Sequence, residues 1–255
     1  MAGIFDLTGK NVVITGASRG IGAAMALRMA EQGANVVISS SKQADCEKVA
    51  AEINKAVGRN AALGVAGDLA SKASLQGMID KANNTFGQID VLVCNAAIAD
   101  SGEPLSDVSD EAFLRVIQVN ILANHWLAQM VAPQMIARND GAIIITSSIG
   151  ALRGNPNMGP YAISKAGDLA LVRSLARELG KHNIRVNAIA PGFVKTELSR
   201  NLWENPKWVE GYVARAALGR IGEPDDLSGI AVYLASRAGA WTTGQTFIVD
   251  GGAMA

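Results

Sequence analysis

The chain has 255 residues, in which 23 Lys plus Arg balance 23 Asp plus Glu. That length suits one α/β domain with a sizeable core, and a balanced charge supplies no field to draw nucleic acid or an anionic membrane, which leaves small molecules or other proteins as partners. Cys46 and Cys94 have no metal-binding or redox spacing, no stretch approaches the ~20 apolar residues of a membrane span, and residues 1–10 contain no basic segment leading into an apolar run, so a cytoplasmic protein with free thiols and no metal is expected.

From Asn11 onward, short β-branched runs alternate with longer segments of helical period, the pattern of βαβ units and a parallel sheet. Strands are predicted at 12–15, 36–39, 61–65, 91–95, 142–147, 185–190 and 246–249. Helices are predicted between them at 20–32, 42–57, 71–86, 110–138, 158–181 and 224–236. Ile143-Ile144-Ile145 lacks alternation, as suits a strand covered on both faces. No linker, repeat or low-complexity tract divides the chain, so the expectation is one doubly wound α/β domain over 1–255, with seven parallel strands and helices on both faces.

The first strand runs into Thr15-Gly16-Ala17-Ser18-Arg19-Gly20-Ile21-Gly22. Glycines there permit a tight turn and bring backbone N–H groups at a helix N-terminus close to a pyrophosphate, although tight strand-to-helix packing alone also uses such a turn. Gly16-Ala17-Ser18-Arg19-Gly20 is also Gly-x-Ser-x-Gly, the nucleophile elbow of hydrolases. Ser18 would then need a histidine, and neither His125, inside the 110–138 helix, nor His182, at the opposite sheet edge, is placed to serve it. The second strand ends Ser39-Ser40-Ser41-Lys42 with no carboxylate for the adenosine ribose hydroxyls, while Arg19 and Lys42 flank the place of a 2′-phosphate. That pattern favours NADP(H) over NAD(H). Asp68-Leu69, after the third strand, offers an acceptor for the adenine amino group and is equally a helix-start signal.

Cys94-Asn95-Ala96-Ala97 follows the fourth strand, where small side chains admit a flat ligand and Asn95 supplies hydrogen bonds. Asn120 stands among Val116, Ile117, Val119 and Ile121; a buried amide must be satisfied, by a structural partner or by water. The fifth strand ends Thr146-Ser147-Ser148. Beyond it, Tyr161-Ala162-Ile163-Ser164-Lys165 puts a phenol and an ammonium on one helix face. A free phenol ionises near pH ~10, and an adjacent cation lowers that value toward the range of acid/base work. The sixth strand leads into Pro191-Gly192-Phe193-Val194-Lys195-Thr196, a bend followed by a hydroxyl suited to a carboxamide or phosphate. Residues 197–220 hold Trp203, Trp208 and Tyr212, and read either as a lid over an apolar substrate or as a short helix docked on the body. Arg153 is either a partner for an anionic group or an exposed loop arginine.

In their order and spacing these residues resemble the short-chain dehydrogenase/reductase superfamily from about Leu7 to Gly252, closing on Asp250-Gly251-Gly252. The resemblance implies a Rossmann-like fold. It implies that Tyr161 is the general acid/base, that Lys165 binds the nicotinamide ribose and lowers the phenol's pKa, that Ser148 bonds the substrate oxygen, and that Asn120 holds a water linking Lys165 to a proton relay. It implies cofactor contacts from Gly16, Ser18, Arg19, Gly20, Ile21, Gly22, Ser40, Ser41, Lys42, Asp68, Leu69, Asn95, Ala96, Pro191, Gly192, Val194 and Thr196, together with Tyr161 and Lys165. It also implies a homotetramer, with the 224–236 helix and the last strand at one interface. Three positions depart from the pattern: Cys94 and Ala97, where Cys94-Asn95-Ala96-Ala97 replaces Asn-Asn-Ala-Gly, and Ser41, which stands where NADP-preferring members often carry arginine.

The expected reaction is therefore hydride exchange between NADP(H) and a ketone or secondary alcohol, of the carbonyl reductase or 3-oxoacyl reductase kind. Alternatives are an NAD-dependent alcohol, sugar or steroid dehydrogenase of the same family and, more remotely, a non-catalytic NADP(H)-binding redox sensor. Residues 149–160 and 197–220 are expected to line the substrate pocket.

Overall fold

Every β-branched run predicted as a strand enters one sheet whose neighbours all pair in parallel. The strands are β1 (Asn11–Thr15), β2 (Asn35–Ser40), β3 (Ala62–Ala66), β4 (Val91–Cys94), β5 (Gly141–Thr146), β6 (Ile184–Pro191) and β7 (Thr246–Val249), in spatial order β3-β2-β1-β4-β5-β6-β7. The structure is a computed structural model that describes residues 3–99, 104–154 and 158–255. Because β4 returns to the free side of β1, the strand order reverses between them. Loops from β1 and β4 therefore part at the carboxyl edge and leave a crevice there.

Side-chain alternation along the strands divides the core between the two faces. Val12 and Ile14 pack with Met25, Met29, Leu227 and Leu234 on the face covered by α1 (Gly20–Glu31), α2 (Gln43–Val57) and α9 (Ser228–Ala235). Val13, Ile143 and Ile145 pack with Leu75, Leu127, Leu169 and Val172 on the face covered by α3 (Lys72–Phe86), α5 (Ala123–Arg138) and α6 (Gly159–Leu179). Ile144 belongs to the first face, so both sides of β5 are buried, as its uninterrupted apolar run requires.

Two predicted helices and one predicted connection differ in detail. The segment expected as one helix over 110–138 is α4 (Asp110–Ile117), a π-helical turn (Gln118–Leu122) and α5, with the Ala123 N–H bonded to the Gln118 carbonyl five residues back. The wider turn accommodates an extra residue and lies where Asn120 faces the interior. The 224–236 helix begins as a 3₁₀ turn (Pro224–Leu227) because Pro224 and a reciprocal cap between Glu223 and Asp226 set its first turn. Residues 197–220 contain α7 (Arg200–Trp203) and α8 (Pro206–Val213).

Candidate active site

The turn after β1 is shaped by what cannot fit in it. Gly16 has φ +64°, and a Cβ there would lie 2.8 Å from the Ala96 Cα; one at Gly22 would lie 2.5 Å from the Gly16 carbonyl oxygen and 2.7 Å from Asn95 Nδ2. The amide of Asn95 donates to the carbonyls of Thr15 (3.1 Å) and Gly16 (3.2 Å), while Thr15 Oγ1 accepts from the backbone N–H groups of Asn95 (3.1 Å) and Ala96 (3.2 Å). Asn95 thus fastens the β1 turn to the end of β4. Thr196 crosses over the same turn, its Cγ2 3.4 Å from where a Gly20 Cβ would stand.

A cleft of about 860 Å³ runs along the carboxyl edge from this turn to α6. Gly16, Ser18, Arg19, Gly20 and Ile21 line it with Ser40, Ser41, Asp68 and Leu69, as do Asn95 and Ala96 after β4 and Pro191, Gly192, Val194 and Thr196 after β6. Three predicted site residues stand off the cleft. Gly22 lies beneath the turn, where helix and strand pack closest. Lys42, the exposed N-cap residue of α2, follows Ser41 and is not itself part of the cleft's lining. Asn120 is fully buried behind the wall: its Oδ1 accepts from the Ile98 N–H (2.9 Å) and its Nδ2 donates to the Ile98 carbonyl (2.9 Å) and Ser164 Oγ (3.0 Å). Its amide protons are therefore committed to the β4 loop and α6. Asp68 Oδ1 accepts from the Ala70 N–H at 2.9 Å in the turn before α3, whose N-cap is Ser71. Ser18 lines the dinucleotide end, and His182 precedes β6 at the opposite sheet edge, so the hydrolase arrangement is not formed.

At the other end Ser148, Tyr161 and Lys165 share one wall. Ser148 closes β5 in extended backbone and its Oγ accepts from the Gly150 N–H at 3.0 Å, which leaves the hydroxyl proton to point elsewhere. Tyr161 and Lys165 lie one turn apart at the start of α6, with the Lys165 Nζ 5.9 Å from the phenol ring centre. Ser147 Oγ donates to the Lys165 carbonyl at 2.8 Å and pins α6 to β5. Lys165 itself is buried, its ammonium donating to the Thr146 carbonyl (2.8 Å) and to Asp168 Oδ2 (3.0 Å). Desolvation works against its charge, but the attraction of Asp168 prevails and holds the ammonium above the ordinary lysine value. Burial pushes the Asp168 carboxyl up, opposed by the same ion pair. The Cys94 thiol is driven well above its usual range by burial and stays neutral.

Asp168, Asn124 and Ser164 are participants that sequence reasoning missed. A signal existed: Lys165, Leu169, Val172, Ala176 and Leu179 form a buried stripe at helical spacing, and an acidic residue at position 168 sits on that stripe. A charge there implies a buried partner, and Lys165 is three residues away.

The aromatics of residues 197–220 differ in their contacts. Trp203 Nε1 donates to the Thr196 carbonyl (2.7 Å), while buried Tyr212 donates to the Asp250 carbonyl (2.7 Å) and meets Phe193 edge-on with ring centres 5.4 Å apart. Trp208, with Leu198 and Leu202, remains half exposed and lines the cleft. Arg153 and Arg215 line the same region, and both favour ionisation of the Tyr212 phenol, although burial dominates and raises its pKa. Of the expected pocket segment 149–160, residues 155–157 lie outside the described residues.

The sequence matches the family described as Enoyl-(Acyl carrier protein) reductase over residues 16–254. It is 36% identical over 251 residues to "Dehydrogenase/reductase SDR family member 4" of Bos taurus, an alignment spanning 97% of this chain and 88% of that protein. It is 39% identical over 248 residues to the L-rhamnose 1-dehydrogenase (NAD(P)(+)) of a Sphingomonas species, covering 96% of each chain. Among solved structures, a gluconate 5-dehydrogenase from Burkholderia cenocepacia, crystallised with NADP and tartrate, superposes with a TM-score of 0.93 at 34% identity, covering 98% of this chain and 97% of the other. With the Tyr161-x-x-x-Lys165 pair, Ser148 and the glycine turn on one cleft, these likenesses identify the chain as a member of the short-chain dehydrogenase/reductase family, oxidoreductases acting on CH–OH or carbonyl groups.

Proposed function

We propose that the protein exchanges a hydride between NADP(H) and the carbon of a ketone or secondary alcohol. The observation that carries this reading is the meeting of Ser148, Tyr161 and Lys165 at one end of a cleft whose other end is the glycine turn. The cleft suits a dinucleotide on its own features: a turn with no room for a Cβ at Gly16 or Gly22, and a Thr146 hydroxyl buried at the wall without a protein partner among the described residues. When bound, the nicotinamide supplies or accepts the hydride. The protein's own residues manage the proton and the charge. In reduction the Tyr161 phenol protonates the substrate oxygen, and in oxidation it takes that proton back. The Ser148 hydroxyl, its acceptor side occupied by the Gly150 N–H, donates to the same oxygen and steadies the charge that develops there. Lys165 spends two of its three N–H groups on Thr146 and Asp168, and the third is left for the cofactor side of the cleft.

NADP(H) is favoured over NAD(H) because no carboxylate closes β2, and the cleft there is lined by Ser40, Ser41 and the guanidinium of Arg19. For the substrate, Arg153 and Arg215 beside Trp208 and Leu202 favour a carbonyl compound that carries an anionic group, a chemistry shared by the gluconate and tartrate named for the solved relative. For assembly, a homotetramer is supported by two separate apolar faces. One carries Trp241 (99% exposed) and Ile248 (48%) beside the unpaired edge of β7; the other carries Leu114, Leu122 and Ile163 on α4 to α6. The site needs no metal, and buried free thiols at Cys46 and Cys94 accord with the cytoplasm. Among the described residues no helix is long and apolar enough to cross a membrane.

The test is a panel of ketones and alcohols, each carboxylate paired with its amide, run with NADPH and NADH on the wild type and Tyr161→Phe. Loss of the proton donor is expected to lower kcat by about 10² to 10⁴ fold. Wild-type turnover by Tyr161→Phe would rule out the assignment, and NADPH binding without turnover across the panel would favour a redox sensor. Equal use of both coenzymes would remove the NADP(H) preference.

A further inference from the structure

The chemistry above involves Tyr161, Ser148 and one N–H of Lys165, and it leaves out the most deeply buried carboxylate of the site. Asp168 is 0% exposed and Asn124 1%. One carboxylate oxygen of Asp168 accepts from Lys165 Nζ (3.0 Å), and the other accepts from Asn124 Nδ2 (3.0 Å). The Asn124 amide also donates to the Asn120 main-chain carbonyl (2.7 Å), inside the π turn, and Asn120 reaches across to Ser164 on α6. A continuous polar chain thus runs Lys165, Asp168, Asn124, Asn120, Ser164 and returns to the helix that carries Tyr161.

Stability alone does not account for this arrangement. Taking two charges out of water carries a desolvation penalty that their attraction does no more than offset, so a buried ion pair contributes little net stability compared with apolar packing of the same volume. Its effect falls on Lys165. An ammonium on a four-carbon stem rotates freely, and when buried it tends to shed its proton. With two N–H groups fixed by Thr146 and Asp168, the third has one direction left. The other groups facing the ammonium do not supply this. Tyr161 stands on the same helix, Cys94 from β4 is a neutral buried thiol, and Asn124 from α5 and Thr146 and Ser147 from β5 do not titrate. Among the described residues, Asp168 is the carboxylate that pairs with Lys165.

We propose that Asp168 is a positioning residue for hydride transfer: its carboxylate, aimed by Asn124, holds the Lys165 ammonium charged and presents a single N–H to the cofactor. The proposal rests on the dehydrogenase reading above and adds a role that acts through Lys165 without touching substrate.

The test compares wild type, Asp168→Asn and Asp168→Glu. In cofactor-free protein labelled with [ε-¹³C]lysine, the Lys165 resonance is expected to titrate above the ordinary lysine value in the wild type and in Asp168→Glu. In Asp168→Asn its midpoint is expected to fall by at least two pH units. By NADPH fluorescence titration, Asp168→Asn is expected to raise Kd about tenfold and to move the pH profile of kcat by at least one unit, with Asp168→Glu restoring part of both. A folded Asp168→Asn with wild-type Lys165 titration, NADPH Kd and pH profile overturns the proposal and leaves Asp168 a stitch between α5 and α6. Should Asp168→Asn not fold, Asn124→Ala decides, because it keeps both charges and frees the carboxylate: a raised NADPH Kd with an altered pH profile supports the proposal, and wild-type values overturn it. A wild type that neither binds NADPH nor turns over defeats the dehydrogenase reading itself, while the Lys165 titration still reports on the pair.

Discussion

The two ends of the cleft are built from opposite materials. The dinucleotide end is nearly all backbone: a left-handed Gly16, a Gly22 with no room for a methyl, and an Asn95 amide that fastens main-chain carbonyls. The Tyr161 end is made of side chains, with Lys165, Asp168, Asn124 and Asn120 buried and joined in one hydrogen-bonded chain. The first end therefore tolerates no added atom, and the second tolerates no missing charge. Shape is enforced by close packing in one case and by the cost of an unpaired buried ion in the other.

The largest effect is expected where a charge is removed. Lys165→Met leaves Asp168 buried without its partner and is expected to cost about 3–5 kcal/mol by urea denaturation at pH 7. The loss should shrink as pH falls, because protonation removes the stranded charge. Lys165→Met combined with Asp168→Leu should recover most of it, and a double variant no more stable than Lys165→Met alone would show that the pair is not the source. A smaller effect is expected from adding a methyl at the other end. Gly22→Ala must displace the Gly16 carbonyl or the Asn95 amide and is expected to cost about 1–3 kcal/mol and to weaken NADPH binding. An unchanged melting temperature and NADPH Kd would mean that the turn is looser than its contacts imply.

The smallest effect calibrates the contrast between buried and exposed charge. On the surface, Asp226 is held down to about 2 by its hydrogen bonds from Arg220 and then from the Glu223 N–H. A depressed carboxylate contributes stability that is present above its ordinary value of 3.8 and lost as pH falls through about 2. The pair is exposed to solvent, so Asp226→Asn is expected to cost only about 0.5–1 kcal/mol at pH 7. The gap between wild type and variant should narrow below pH 3.8. A gap as large as that of Lys165→Met would erase the distinction drawn here.

The strands, their parallel pairing and the residue types of the cleft can be read along the chain, because these rest on local signals. Unbroken β-branched runs mark strands buried on both faces, glycines mark the turn, and the i, i+4 spacing of Tyr161 and Lys165 puts them on one wall. Asp168 was legible as well, as a carboxylate on an apolar stripe, had its charge been weighed against its periodic position. Only the tertiary structure decided what Asn120 bonds, because the π turn that aims it breaks the helical period without a glycine or proline to announce it. It also decided that Trp208 and Tyr212 line the cleft while Trp203 turns its indole to the Thr196 carbonyl, since each depends on where a side chain's remote neighbours lie. Local geometry follows from neighbours a few residues away and can be read along the chain, whereas the pairing of Asp168 with Asn124 joins residues 44 positions apart and exists only once the sheet has brought α5 against α6.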